Sequence, residues 1–123
     1  MLYRIKQENI ILLYTIIAIF ALAAILGMVL LSYVLRKKAT PKAVMIGHGL
    51  FAATALVLLL VYTFDHQPGP VESLILFVIA ALGGFILVAK DLTGKEIPKW
   101  LAVVHGLTAV AGFILLLVFT LNA

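Results

Sequence analysis

The chain has 123 residues, of which 65% are apolar and only 11% charged, a balance that excludes a water-soluble domain of this size. Its net charge of +4 lies in short segments flanking apolar runs, which points to a membrane surface and away from nucleic acid. With no Cys in the chain, disulfides, thiolate metal sites and Cys-attached haem are excluded as well.

Residues 1–9 are mixed in character and polar enough to lie at an outer interface, with Tyr3 and Tyr14 as candidate belt aromatics. The apolar run behind them is too long for the core of a cleavable signal and lacks a processing site. Four apolar runs follow, over residues 10–35, 43–64, 73–89 and 100–121. Each approaches or exceeds the ~20 residues needed to cross ~30 Å of hydrocarbon, and none carries a charge in its middle. In the first, Ala18, Ala21, Ala24 and Gly27 form a small-residue ribbon that would let neighbouring backbones approach. The short basic loop after it makes helices 1 and 2 a hairpin, and Pro41 suits the first turn of helix 2, as Pro98 does that of helix 4. The segment Asp65-His66-Gln67-Pro68-Gly69-Pro70 is dense in turn formers and divides the chain, with His66 read as a solvated turn residue. The third run again offers small residues for close packing, at Ala80, Ala81, Gly83 and Gly84. Trp100, Tyr33 and Tyr62 fall near helix ends, where interfacial anchoring explains them. The expected fold is all-α: one membrane domain over residues 1–123, a transmembrane four-helix bundle.

Charge sets the expected orientation. Arg36, Lys37, Lys38 and Lys42 lie between helices 1 and 2, and Lys90, Lys95 and Lys99 at or between helices 3 and 4. The opposite side has Arg4 and Lys6 with Glu8, Asp65, His66 and Glu72. The positive-inside rule then makes the two basic loops cytoplasmic and leaves both termini outside. The expected setting is a multi-pass protein of a bacterial inner membrane.

The two halves repeat one another. Pro41, Lys42, His48, Gly49, Leu50, Ala52 and the run from Leu58 to Val61 are answered by Pro98, Lys99, His105, Gly106, Leu107, Ala109 and the run from Leu115 to Val118. Ala23, Ala24 and Gly27 are answered by Ala80, Ala81 and Gly84. Roughly 17 of about 41 aligned positions are identical, beyond what two unrelated apolar segments share. Two tandem hairpin repeats, about residues 10–64 and 71–121, would enter the membrane in the same sense around a pseudo-two-fold axis along its normal.

That symmetry places His48 and His105 at one depth on diagonal helices, ~10 Å from the basic end at ~1.5 Å per residue. Haem iron takes two axial nitrogens from opposite sides of a plane, and facing imidazoles in a bundle provide them. Gly49 and Gly106, with Ala52, Ala55, Ala109 and Gly112 one and two turns on, are expected to leave room for the macrocycle on the side away from the basic loops. Lys42 and Lys99, with Lys38 and Lys95 nearby, are candidate partners for its propionates, aided by the positive ends of helices 2 and 4. The alternative for each histidine is polar glue, bonded to a backbone carbonyl or to the other ring. Zinc or copper fits less well, because two nitrogens leave the shell incomplete. Met28 and Met45 read as packing, and Met45 is answered by Ala102.

On these histidines and their glycines, the chain resembles the small membrane-embedded b-type cytochromes, whose haems are held by His pairs in a four-helix bundle. The resemblance is architectural and covers residues 10–121. It implies a haem b ligated by His48 and His105 as the metal ligands, and electron exchange with quinone or another membrane partner, or haem carriage without turnover. Diheme members use four helix histidines; this chain has two, which speaks against a two-haem relay across the bilayer. Nothing in the sequence specifies a catalytic group. Two other classes share the helix count: small transporters, which depend on an intramembrane carboxylate that this chain lacks, and structural or assembly subunits of a larger complex.

Overall fold

The computed structural model describes residues 1–123. It is all-helical: α1 Leu2–Leu35, α2 Lys42–Asp65, α3 Val71–Leu92 and α4 Lys99–Leu121. All four helices are long and apolar enough to cross a membrane. A helix satisfies its own backbone groups, which a hydrocarbon solvent requires. Pro41, Pro70 and Pro98 each stand at the N-cap, one position before the helix rather than in its first turn. The carbonyls of Pro41 and Pro98 accept the first helical bonds, from the N–H of Met45 and Ala102. After α1 the chain turns through Lys37 at φ 54°, and after α3 through Gly94 at φ 71°. The left-handed region costs a side-chain-bearing residue ~1–2 kcal/mol and glycine little, so the second turn is the easier of the two.

Two helix bounds differ from the apolar runs. The 34 residues of α1 begin at Leu2, so the mixed segment at the N-terminus is helical. At ~1.5 Å per residue this helix is ~50 Å long, well beyond ~30 Å of hydrocarbon. Its first turns carry an exposed Arg4–Glu8 pair at 3.5 Å. At the other end, α3 runs through Lys90 and Asp91, because Asp91 finds a partner on another element.

The helices pack as two hairpins, α1 with α2 and α3 with α4. Between hairpins, α1 meets α4 more extensively than α2 meets α3, and the diagonal pairs make no close backbone contact. The apolar core occupies the half of the bundle nearer the termini: Leu13, Ile16 and Phe20 of α1, Ala55, Leu59 and Tyr62 of α2, Phe77 of α3 and Leu116 of α4. Phe20 and Phe77 stack across the hairpin boundary with ring centroids 3.9 Å apart. The buried stripe of α1 runs Leu13, Ile16, Phe20, Ala23, while Ala18 and Ala24 face outward. Ala18 and Ala24 of the expected ribbon are therefore not on the packing face, while Gly27 meets a neighbouring helix closely, through His48. Large apolar side chains such as Leu22, Phe85 and Leu107 cover the outside, a surface that lipid chains can solvate and water cannot.

Candidate functional site

Each histidine is anchored within its own hairpin. His48 on α2 has Nδ1 2.7 Å from the carbonyl oxygen of Ala23 on α1, and His105 on α4 has Nδ1 2.7 Å from that of Ala80 on α3. A carbonyl oxygen can only accept, so in both rings Nδ1–H donates. In the neutral form of either ring Nε2 then carries the lone pair, and it takes part in no hydrogen bond. Neither Nε2 is sealed off as a buried, partnerless atom. Tethering one ring nitrogen to a backbone oxygen and freeing the other is how a protein fixes the tautomer of a metal-binding histidine.

Glycine makes this tether possible. Within a helix the carbonyl of residue i points toward residue i+4, and Gly27 and Gly84 stand four residues beyond Ala23 and Ala80. A Cβ on Gly27 would lie 3.0 Å from Cε1 of His48 and 3.2 Å from its Nδ1. A Cβ on Gly84 would lie 3.1 Å from Cε1 of His105. A side chain at either position would press on the imidazole that the carbonyl holds. The same contact is thus built at matched positions of the two halves.

The two rings meet edge to face, with centroids 6.1 Å apart and planes at 79°. Two imidazoles bound on opposite sides of one metal through bonds of ~2 Å would have ring centres roughly 6.3 Å apart. No third His, Cys, Asp or Glu joins the pair in a metal-sized group.

The other expected site residues fall elsewhere. Cβ atoms on Gly49 or Gly106 would meet nothing within 4 Å, so these glycines border open space. Ala52 and Ala109 are half-buried. Ala55 is a fully buried core residue. Gly112 is covered by Leu76 and Phe77, which a Cβ would approach to 3.3 Å, and its carbonyl accepts a 2.8 Å hydrogen bond from Ser73 Oγ. The gap expected beyond the histidines on the terminus side is closed at Ala55 and Gly112, because α1 and α3 bring larger side chains over those positions. His66 is likewise no solvated turn residue: half-buried, it stacks on Tyr62 at 4.3 Å.

The opening lies at the basic end. A cavity of about 500 Å³ between the two loops is lined by Lys37, Lys38, Lys42, Lys95 and Lys99, among others. Asp91 reaches into it from α3, accepting from Lys42 Nζ at 2.6 Å and from Thr40 Oγ1 at 2.5 Å. Lys42 is therefore already paired, whereas Lys99 has no carboxylate within ion-pair distance. Asp91 and Thr40 had no signal in the sequence beyond mixed loop charge, since their partners lie across the hairpin boundary. The backbone oxygens of Ala23 and Ala80 were marked only indirectly, as repeated small residues.

No protein-family model, no curated protein and no solved structure matches this chain.

Proposed function

We propose that His48 and His105 are the axial ligands of one b-type haem held between the two hairpins, in a membrane electron-transfer or haem-handling protein. The observation that carries this reading is the pair of imidazoles, each tethered through Nδ1 and free at Nε2, with ring centroids 6.1 Å apart. Two nitrogen donors and no third suit a metal whose remaining ligands arrive with it, as a porphyrin provides. When bound, haem supplies one-electron iron chemistry.

The chain's part is to bind and tune. The Ala23 and Ala80 carbonyls hold each imidazole in one tautomer and orientation, and an Nδ1–H donated to oxygen raises the basicity of Nε2. Gly27 and Gly84 keep both carbonyls within reach. The apolar half below, capped by the Phe20–Phe77 stack, keeps water from approaching through the bundle from the termini. By the distribution of lysines the histidine level belongs to the cytoplasmic half, with both termini outside. A quinone or another membrane redox protein is the exchange partner this location suits.

The test is haem per inserted chain together with the absorption spectrum. Wild-type protein is expected to carry about one low-spin, six-coordinate haem, in line with two nitrogen ligands. His48→Ala and His105→Ala should each lose that spectrum while still inserting, since the four apolar spans are untouched. A low-spin spectrum surviving in either variant would sink the pair as ligands.

A further inference from the structure

We propose that the cavity between the two basic loops binds a phosphate dianion, with Lys38, Lys95 and Lys99 as its cations and Asp91 as the group that keeps Lys42 out of it. Five lysines line the cavity, and against them stand two carboxylates, Asp91 and Glu96. Asp91 is spent on Lys42 and Thr40, so Lys37, Lys38, Lys95 and Lys99 face Glu96 alone, and none of them is ion-paired. A volume of about 500 Å³ is that of a small-molecule site.

The chemistry of the lining selects the ligand class. No arginine lines the cavity, so its cations are ammonium point charges and not the planar fork that reads carboxylate and phosphate alike. Ammonium groups on flexible stems are point charges that can converge on a compact, multiply charged oxyanion. The cavity also opens at the loop end of four spanning helices, the level of lipid headgroups, where basic pockets between helices take phosphate-bearing heads. A phosphomonoester lipid head and free phosphate share this chemistry.

The halves are not equivalent here. Lys42 and Lys99 occupy matched positions, each opening its helix after a proline, yet Val34 stands where the first half would need a counterpart of Asp91. Lys99 is therefore left unpaired where its counterpart Lys42 is not. The site does not depend on haem, and its test reads a different quantity.

The full chain in zwitterionic nanodiscs is titrated with inorganic phosphate, followed by phosphorus NMR. In parallel, native mass spectrometry compares retention of phosphatidic acid with that of phosphatidylcholine. Binding in either arm supports the site, and the arm that responds identifies the source. Lys99→Gln and Lys95→Gln should each weaken binding about threefold to fivefold, the scale of one partly exposed ion pair. Asp91→Asn frees Lys42 and should tighten it by a similar factor. Binding in neither arm, or affinities equal in wild type, K99Q, K95Q and D91N, would overturn the proposal.

Discussion

The two ends of the bundle are held together by different physics. Toward the termini, Leu13, Ile16, Leu59 and Leu116 are fully buried and Phe20 stacks on Phe77. Toward the basic loops the large buried side chains give way to two histidine–carbonyl bonds, two glycine contacts and one ion pair. The first end is close-packed, so each of its side chains contributes through dispersion and the absence of voids. The second holds its polar groups in fixed directions and leaves a cavity open. Apolar packing and directed polar contacts are thereby separated along the helix axis, and substitutions at the two ends should fail in different ways.

The largest effects on stability belong to the packed end. Leu59→Ala and Leu116→Ala occupy matched positions and each should cost ~2–5 kcal/mol, the range for a large-to-small change in a close-packed core. Unfolding in mixed micelles would measure this. Haem per folded chain should stay at the wild-type value, because Leu59 lies three turns of α2 from His48. Loss of haem at full stability would dissolve the division between the ends.

Smaller in stability, but selective for the site, are Gly27→Ala and Gly84→Ala. A methyl at 3.0 Å or 3.1 Å from an imidazole carbon must displace the ring or the helix. Overpacking costs up to ~1–3 kcal/mol, against the ~1 kcal/mol that alanine gains over glycine inside a helix, so the net change in stability is small. The reduced spectrum should change in both variants as the Nδ1 tether lengthens. Unchanged spectra would mean that these glycines serve helix approach alone.

Asp91→Asn should have the smallest effect on folding, ~1 kcal/mol or less, because Lys42 is half exposed and a neutral Asn can still bond Thr40. A loss of several kcal/mol would show instead that the Lys42–Asp91 pair holds the two hairpins together.

Much of this was legible in the sequence. Apolar length alone defines four spanning helices, and the repeat singles out His48 and His105 as a pair on diagonal helices. What the residues could not reveal is where the small positions point. Gly49 follows a histidine in sequence, yet one residue is ~100° around a helix, so it faces away from the ring. Gly27 and Gly84 are distant in sequence and lie against the rings. Ala55 and Gly112 look like the walls of an opening until Leu76 and Phe77 are seen to cover Gly112 and the core to enclose Ala55. Backbone acceptors such as the carbonyls of Ala23 and Ala80 have no letter of their own, and only the glycine four residues on betrays them.

The central claim is that two tethered imidazoles ligate one iron in the orientation their carbonyls impose. Low-temperature electron paramagnetic resonance of the oxidised protein reads that orientation, because the anisotropy of a low-spin ferric haem depends on the angle between its axial ligand planes. The rings stand at 79° to one another. Near-perpendicular planes should give a highly anisotropic low-spin signal, with its lowest-field feature far from the free-electron position, and Gly84→Ala should shift it. A rhombic signal of parallel imidazoles, a high-spin signal, or a protein without haem would contradict the assignment.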